Sequence, residues 1–409
     1  MEMKEGFKMS CVMVLAVGLG LTRALSAAEP LADDNLDVVG LNGGVWADDQ
    51  GVHVNAHGGG VIWHEGRYYW YGEHKVGGIA GNVAHGSAVH CYSSTNLVDW
   101  TDEGAALLTE MREGHDIEDG CVIERPKVVY CPKTGKFLMY FHLELKAGSD
   151  DAGYRYGSAR VGIAVNDRPT GVFTYLMSRR PNACVWPQGI DTNALTFAAT
   201  ADARAIANWR NGGENETVKN CKYVFAGTFE RGQTSRDQTL FVDDDGRAYH
   251  IYTSEHNSTL HISELSDDFI NETGRYWRLA EKDWTEAPAI CKHNGWYYIL
   301  GSGCTGWAPN AARYYRSRSI AGPWERMGNP CRGTDETTGF GADLTWGCQS
   351  TCIFPVQGSP ASFVAMFDRW CPENAIDGRY VWREVEFSDD GRMTIPWKKD
   401  DNVTEPNGR

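Results

Sequence analysis

The sequence of 409 residues predicts an all-β protein in which one sheet pattern is repeated five times. Each repeat has an apolar strand, a short turn rich in Asp, Asn or Gly, an aromatic second strand and a third strand. The repeats are spaced by roughly 50–60 residues, apart from one insertion. Radial repetition of short antiparallel sheets is the architecture of a β-propeller, so we expect a five-bladed β-propeller.

Turn chemistry and strand composition justify the repeats in order. The pairs Glu65-Gly66, Thr134-Gly135, Asp245-Gly246 and Asn294-Gly295 each place a glycine in a predicted hairpin turn. First strands are predicted at 61–64, 121–130, 238–242, 289–293 and 349–356. Aromatic second strands are predicted at 67–73, 137–142, 248–253, 296–300 and 363–367. Third strands are predicted at 87–94, 159–165, 260–263, 313–317 and 380–387.

Residues 176–222 interrupt the pattern between its second and third copies. Prolines near the start of this stretch indicate loop, and its Ala-rich part at 196–209 predicts a short helix. We interpret the stretch as an insertion between blades. Two interpretations of it stay open: it walls the pocket described below, or it decorates the surface without a role in function.

The N-terminus has the pattern of an export signal. Lys4 and Lys8 precede an apolar run at 11–21, and the small residues Ser26-Ala27-Ala28 follow it. The run is too short to span a membrane. We therefore expect a signal peptide at 1–28, a single propeller domain at 29–409, and a secreted or periplasmic protein.

Charge and composition narrow the range of partners. The net charge is −15, and no basic run is long enough to hold a phosphate backbone, so we expect no nucleic acid partner. The 15 Trp and 18 Tyr fit a protein that stacks aromatic rings on sugars, although most such residues pack in β cores. The expected partner is an oligo- or polysaccharide.

The cysteines indicate no metal site. One of the 12 lies in the predicted signal peptide, which leaves 12 − 1 = 11, an odd number. No C-x-x-C pair occurs, and no His-rich pattern accompanies Cys348 and Cys352. A few disulfides are compatible with this set, but most of the cysteines are expected to pack as small hydrophobic residues. We predict no cofactor. A cation on a propeller axis is compatible with the fold, but nothing in the sequence specifies one.

The starts of the first strands predict a shared pocket. In a propeller these strands line the central axis, so their first residues converge at one end of it. The residues at these positions are His57 with Gly58, Glu124, Asp237, Glu286 and Gln349. Glu286 stands just before Ala287-Pro288 at the start of an apolar strand. Burial there would raise its pKa toward neutrality, as a general acid requires.

Several motifs together resemble glycoside hydrolase family 43, and in particular its branch of exo-β-1,3-galactanases. They span nearly the whole chain after the predicted signal peptide, and they are specific to the branch only in combination. The matching motifs are Asn55-Ala56-His57-Gly58-Gly59-Gly60, Tyr68-Tyr69-Trp70-Tyr71-Gly72-Glu73, Ile123-Glu124-Arg125-Pro126-Lys127, Ser235-Arg236-Asp237, Glu286-Ala287-Pro288, Thr305-Gly306-Trp307 and Gln349-Ser350-Thr351.

The resemblance implies a role for each residue of the site. Glu286 matches the proton donor and Glu124 the acid that tunes it. The wider family has an Asp base near the position of Gly58, where this chain has no carboxylate. In the galactanase branch a Gln acts as base in its imidic acid form, and it matches Gln349. The implied substrate contacts are Asp237, Glu73, Thr305, Asn257 and His57.

The resemblance implies a secreted, inverting exo-glycosidase that releases galactose from β-1,3-galactan or arabinogalactan. In an inverting enzyme the acid and the base are roughly 6.5–9.5 Å apart, which leaves room for water. We expect Glu124 to raise the pKa of Glu286 by like-charge repulsion. Three alternatives stay open: an α-L-arabinofuranosidase or another galactosidase of the family, a sugar-binding propeller without activity, and a glycoside phosphorylase, which would need unpaired Arg or His groups for phosphate.

Overall fold

The structure is a computed structural model that describes residues 43–147, 156–190, 229–358 and 362–398. Strand pairing divides these residues into five sheets, numbered here as blades 1 to 5. Blade 1 contains β1 His57–His64, β2 Arg67–Glu73, β3 Ser87–Ser94 and β4 Thr101–Leu108. Blade 2 contains β5 Val122–Cys131, β6 Lys136–Glu144, β7 Arg160–Asn166 and β8 Thr174–Arg179. Blade 3 contains β9 Gln238–Val242, β10 Ala248–Ser254, β11 Thr259–Leu265 and β12 Glu272–Leu279.

Blades 4 and 5 complete the ring. Blade 4 contains β13 Thr285–His293, β14 Trp296–Gly303, β15 Arg313–Ser317 and β16 Glu325–Gly328. Blade 5 contains β17 Cys331–Arg332, β18 Gln349–Pro355, β19 Phe363–Arg369, β20 Arg379–Phe387 and β21 Met393–Pro396. Neighbouring strands within each blade pair antiparallel, except that the short β17 pairs parallel with β21 at the outer edge of blade 5. The predicted all-β, five-bladed propeller is confirmed.

The structure adds an outer fourth strand to each blade, which the sequence did not predict. The outer strands β4, β8, β12 and β16 are partly exposed and carry mixed polar residues, so they lack the apolar alternation of the inner strands, and β21 has only four residues. One consequence concerns the insertion. Its predicted start at residue 176 is wrong, because residues 174–179 form β8 of blade 2. The predicted helix at 196–209 lies outside the described residues, as does the predicted signal peptide.

The inner strands β1, β5, β9, β13 and β18 pack against one another around the axis, each beside the next and β18 beside β1. This closes the ring. Apolar clusters fill the space between neighbouring blades, and the cluster between blades 1 and 5 is rich in tryptophan. The ring centroids of Trp46 and Trp70 lie 4.8 and 4.9 Å from that of Trp382. Burial of aromatic surface therefore joins the last blade to the first.

Irregular pairing at the start of the inner strands determines where the site residues point. The register shifts after His57 in β1, after Glu124 in β5 and after Glu286 in β13. The residue after each of these has a positive φ angle: 58° at Gly58, 54° at Arg125 and 53° at Ala287. Bulges of this kind re-aim side chains beside functional sites.

A carboxylate from the preceding blade receives the backbone N–H of each of these positive-φ residues. The N–H of Gly58 donates to Asp368 of blade 5 at 2.9 Å, and that of Arg125 donates to Glu73 of blade 1 at 2.9 Å. The N–H of Ala287 donates to Asp237, just before blade 3 begins, at 3.0 Å. The same contact therefore couples three pairs of neighbouring blades at the mouth of the axis.

The cysteines follow the packing prediction. Each of the ten cysteines within the described ranges has a free thiol, and most are buried in the apolar clusters. No helix among the described residues is long and apolar enough to cross a membrane.

Candidate active site

A pocket of about 270 Å³ opens where the inner strands begin. It is lined by acids, amides and aromatic residues from all five blades and their connections. The lining residues are Glu73, Asn82, Glu124, Arg125, His142, Tyr156, Arg236, Asp237, Asn257, Glu286, Gly306, Trp307, Gln349 and Trp370. Six of the predicted site residues meet here: Glu286, Gln349, Glu124, Asp237, Glu73 and Asn257.

Glu286 is the acid of this pocket whose environment favours a proton. Burial is the largest cause, followed by the negative charge of Asp237, and together they raise the pKa of Glu286 to about 7. Glu124 also raises it, but less than Asp237 does. The expectation that Glu124 raises the pKa of Glu286 is therefore confirmed in direction, but Asp237 is the stronger influence.

Glu124 is held ionised by a buried network. His142 bonds to its Oε2 at 2.7 Å, and Tyr156 and Asn82 donate to its Oε1 at 2.7 and 2.5 Å. His142 also bonds to Glu144 at 2.9 Å. Burial opposes ionisation of Glu124, but its hydrogen bond and charge interaction with His142 outweigh burial and lower the pKa of Glu124. The same carboxylates raise the pKa of His142 against its burial, so the ring is a cation.

Arg125 crosses the floor of the pocket and links three blades. Its guanidinium lies 3.2 Å from the carboxylate of Asp237 and donates to the Oε1 of Gln349 at 2.5 Å. The same oxygen of Gln349 accepts from the indole of Trp370 at 2.9 Å, and its amide nitrogen donates to Ser302 at 2.9 Å. Because Oε1 faces two donors, the orientation of the amide is determined by its partners.

Glu73 is buried at the edge of the pocket. Its Oε2 accepts from Lys75 at 2.5 Å, and its Oε1 accepts the backbone N–H of Arg125. A Cβ atom on Gly58 would lie 2.2 Å from that Oε1, so the carboxyl group of Glu73 fills the space that any side chain at position 58 would enter. This chain therefore has no room at that point for the aspartate base of the wider family.

Two predicted substrate contacts do not line the pocket. His57 is completely buried behind it, with Nδ1 at 3.9 Å from a carboxylate oxygen of Asp368, so its assignment as a sugar contact is corrected. The hydroxyl of Thr305 donates to the backbone oxygen of Ala308 within its own loop. The residue before it, Cys304, contacts the carboxyl group of Glu286.

Several residues of the pocket were missed from the sequence: His142, Tyr156, Asn82, Trp307 and Trp370. Strand register offered a signal for one of them, because His142 on β6 pairs directly with Glu124 on β5. The others lie in loops, where no periodicity indicates which way a side chain points.

Glu124, His142 and Asp237 present ligand atoms within 4.8 Å of one another. Three such groups meet the distance requirement of a cation site. However, both ring nitrogens of His142 face carboxylates, and Asp237 is paired with Arg125. The arrangement is thus accounted for by ion pairs within the protein, and we assign no metal to it.

Comparisons with known proteins agree with this geometry. The sequence model of "Glycosyl hydrolases family 43" matches residues 184–337. A solved β-1,3-galactosidase of family 43, in complex with galactodeoxynojirimycin, is 43% identical with a TM-score of 0.75, and the alignment covers 88% of this chain and 99% of that one.

Two exo-β-1,3-galactanases are also similar. The structure from Clostridium thermocellum is 33% identical with a TM-score of 0.65, covering 86% of this chain and 64% of that one. The structure from Phanerochaete chrysosporium with galactose is 29% identical with a TM-score of 0.65, covering 86% and 65%.

Curated proteins match over a shorter stretch. A β-D-galactofuranosidase of Aspergillus niger is 30% identical over 122 residues, which is 28% of this chain. The alignments span only 24% and 34% of the two curated relatives. The family assignment therefore rests on the solved structures. Since the chain covers 99% of a family 43 β-1,3-galactosidase at 43% identity, it belongs to glycoside hydrolase family 43 and is a glycoside hydrolase.

Proposed function

We propose that this enzyme is an inverting exo-β-1,3-galactosidase that releases galactose from β-1,3-galactan and the galactan backbone of arabinogalactan. The observation that carries the proposal is the buried carboxyl of Glu286, with its pKa raised to about 7, in a pocket that also contains Gln349 and Glu124. The names of the similar solved proteins, β-1,3-galactosidase and exo-β-1,3-galactanase, support the choice of substrate.

In the proposed reaction Glu286 gives its proton to the glycosidic oxygen. The bond between that oxygen and the anomeric carbon breaks, and its electron pair stays on the oxygen. Because the pKa of Glu286 is raised to about 7, a large fraction of the enzyme carries this proton at pH values up to about 7. Glu124 stays ionised, and its ion pair with His142 helps to hold that ring as a cation in the wall of the pocket.

Water completes the reaction from the opposite face of the sugar. A retaining enzyme needs a second carboxylate free to bond to the sugar, whereas Glu124, Asp237 and Glu73 are all paired. Inversion is therefore the outcome that we propose, with Gln349 assisting the water. The water oxygen bonds to the anomeric carbon, and its proton passes to Nε2 of Gln349, which is the basic atom of the imidic acid form. In that form Oε1 carries a hydrogen, so Arg125 or Trp370 must release that oxygen. Loss of the Oε1 hydrogen to solvent restores the amide, and a proton from solvent returns to Glu286.

The shape of the site supports exo action. A pocket of about 270 Å³ lies just below the range of roughly 300–1,000 Å³ that drug-sized ligands occupy, so it suits a chain end rather than the middle of a polymer. Trp307 and Trp370 line it with their ring centroids 5.7 Å apart, and Trp307 is 43% exposed. Such rings offer apolar faces for the C–H surface of a galactose.

The test is a substrate panel. Incubation with β-1,3-galactan, arabinogalactan and nitrophenyl α-L-arabinofuranoside, followed by chromatography, should release galactose from the first two and nothing from the third. Proton NMR of the first turnover should show α-galactose before mutarotation. Release of arabinose alone, or of β-galactose, would overturn the corresponding part of the proposal.

A furanoside-cleaving enzyme is the second candidate. It is favoured by the 30% identity to a β-D-galactofuranosidase over 28% of this chain. The same panel, extended with nitrophenyl β-D-galactofuranoside, separates the two candidates, because a pocket shaped for a six-membered galactose should discriminate against the five-membered ring.

We propose further that the enzyme is exported. The basic residues Lys4 and Lys8, the apolar run and the small residues near Ala28 support this. Expression of the full chain in a bacterial host, followed by N-terminal sequencing of the product, should give a protein that begins close to Glu29. An uncleaved product retained in the cytoplasm would contradict export.

A further inference from the structure

Both hydrogen bonds that the described residues make to the carboxyl group of Glu286 end on one oxygen. The thiol of Cys304 donates to Oε1 at 2.9 Å, and the side-chain nitrogen of Asn257 donates to the same atom at 2.7 Å. No residue in the described part of the chain donates to Oε2. The two oxygens of the proposed proton donor are therefore chemically distinct in the resting enzyme.

This asymmetry decides where the proton resides. An oxygen that accepts two hydrogen bonds is the better carbonyl oxygen of a protonated carboxyl group, because a proton on it would confront two donors. The proton of Glu286 therefore belongs on Oε2. Hydrogen bonds to a single oxygen also restrain rotation of the group, so Oε2 keeps one direction.

The thiol of Cys304 is able to act as a permanent donor. Burial is the largest cause, followed by the neighbouring Glu286, and together they raise the pKa of Cys304 to about 12. The thiol thus keeps its hydrogen throughout the working pH range. Cys304 is exposed on its other side, yet it is held by contacts to Glu286 and Asn257.

We propose that Cys304 is a positioning residue for the proton donor: together with Asn257 it holds Oε1 of Glu286, so that Oε2 carries the proton toward the glycosidic oxygen. This inference rests on the proposed role of Glu286 as general acid and adds the atom that reacts. The arrangement could not be read from the sequence, which assigned no role to Cys304.

The charges that face Glu286 come from several elements. Asp237, before β9, and Glu124, on β5, both oppose its ionisation, whereas Arg125, on β5, favours it. Arg236 lies further from Glu286, because it contacts Asn257, at 3.5 Å. The hydrogen bond from Cys304 favours the ionised carboxylate, so it lowers the pKa of Glu286 against burial and the neighbouring acids.

Two substitutions test the proposal in opposite directions. Cys304→Ala removes the donor, so the pKa of Glu286 should rise by about 0.5 to 1 unit, since an S–H is a weak donor. Cys304→Ser supplies a stronger donor of similar shape, so the pKa should fall below that of the unsubstituted enzyme. The alkaline limb of kcat/KM should move in the same order, to higher pH in the first variant and to lower pH in the second.

A direct readout accompanies the kinetics. The carboxyl carbon of Glu286 is followed by NMR in protein labelled with ¹³C-glutamate, and its signal is assigned by its absence in Glu286→Gln. In Cys304→Ala, kcat on the acidic plateau should also fall roughly three- to tenfold, with KM changed by less than about twofold, because orientation is lost rather than binding.

Cys184→Ala is the matched control. Cys184 is exposed, and its thiol contacts the backbone oxygen of Glu230 at 3.9 Å rather than a pocket residue. This substitution should change neither the pKa of Glu286 in the NMR titration nor the position of the alkaline limb of kcat/KM. An unchanged pKa of Glu286 in both Cys304 variants would overturn the proposal. The titration needs no substrate, so failure to cleave β-1,3-galactan would refute the proposed function without obscuring this result.

Discussion

At the scale of single residues, the acids of the pocket differ in the partners that hold them. Glu124 has a cationic histidine and two further donors, which stabilise it as a carboxylate, and Glu73 is paired with Lys75. Glu286 has a thiol and an amide as its partners, and Asp237 is a neighbouring negative charge. Such neighbours give chemically similar carboxyl groups different pKa values, so that Glu286 keeps its proton whereas Glu124 is ionised.

Glu286→Gln should abolish proton donation. We expect kcat on β-1,3-galactan to fall about 10²- to 10⁴-fold, the usual contribution of general acid catalysis. The far-ultraviolet circular dichroism should be unchanged, since Glu286 makes few structural contacts. With a dinitrophenyl β-galactoside, whose leaving group needs no proton, the loss should be much smaller. Equal losses on both substrates would show that Glu286 is not the acid.

The pH dependence follows from the same residue. The active form is protonated, and the pKa of Glu286 is raised to about 7, so kcat/KM should be level below that value and fall tenfold per pH unit above it. Initial rates between pH 5 and 9 at low substrate concentration measure this limb. A limb near pH 4.5 would mean that burial does not hold the proton on Glu286.

At the scale of elements, the bulges of the inner strands couple the blades to the site. In β1, β5 and β13 the residue after the site position has a positive φ angle and donates its N–H to a carboxylate of the preceding blade. Two of the three are Arg125 and Ala287, for which this conformation carries strain. The hydrogen bond to a carboxylate helps to stabilise that strained backbone.

Gly58→Ala should be more destabilising than an ordinary substitution at a positive φ angle. The added Cβ would lie 2.2 Å from Oε1 of Glu73, so we expect a loss of about 2 to 4 kcal/mol from strain and overpacking together. Gly66→Ala is the control, since Gly66 has a φ angle of 89° and no atom within 4 Å of a new Cβ.

The control substitution, Gly66→Ala, should lower the free energy of unfolding by about 1 kcal/mol. Urea unfolding of the two variants beside the parent measures both values. Equal losses would mean that Glu73 moves aside freely. In that case the space at position 58 would not explain why the chain lacks the aspartate of the wider family.

At the scale of the whole molecule, a closed ring brings the site together. Glu124, Asp237, Glu286 and Gln349 are separated by tens to hundreds of residues along the chain, yet all line one pocket. Blade 5 completes the ring by packing against blade 1, through the tryptophan cluster and through the contact of Asp368 with the N–H of Gly58. The site should therefore be lost when this junction opens.

Trp382→Ala tests the junction. Trp382 is fully buried between blades 5 and 1, and its removal should cost about 3 to 5 kcal/mol. Activity and tertiary structure should be lost at the same temperature, because the site spans the ring. Trp63→Ala, whose side chain is 38% exposed, should change stability by under about 1 kcal/mol. Enzymatic activity that persists above the temperature at which the junction between blades 5 and 1 unfolds would contradict this prediction.

Much of the fold could be predicted from the chain, and the physical reason is local. Alternating apolar residues and glycine-containing turns determine strands and hairpins over short distances, and β9 was predicted with the same bounds that the structure has. Four of the outer strands were missed because, half exposed, they carry no such alternation, and β21 was missed because it has only four residues. Four residues of the site could be predicted because they stand where inner strands begin: Glu286, Glu124, Asp237 and Gln349.

The sequence by itself determined the five-fold repeat of strands and turns, since these depend on neighbours along the chain, and it predicted which acids meet at the axis. Only the tertiary structure decided which groups tune them. Asp237 rather than Glu124 is the stronger influence on Glu286, His57 is buried behind the pocket, and Cys304 contacts the acid. Each of these depends on side-chain direction and burial, which arise only when distant blades pack around one axis.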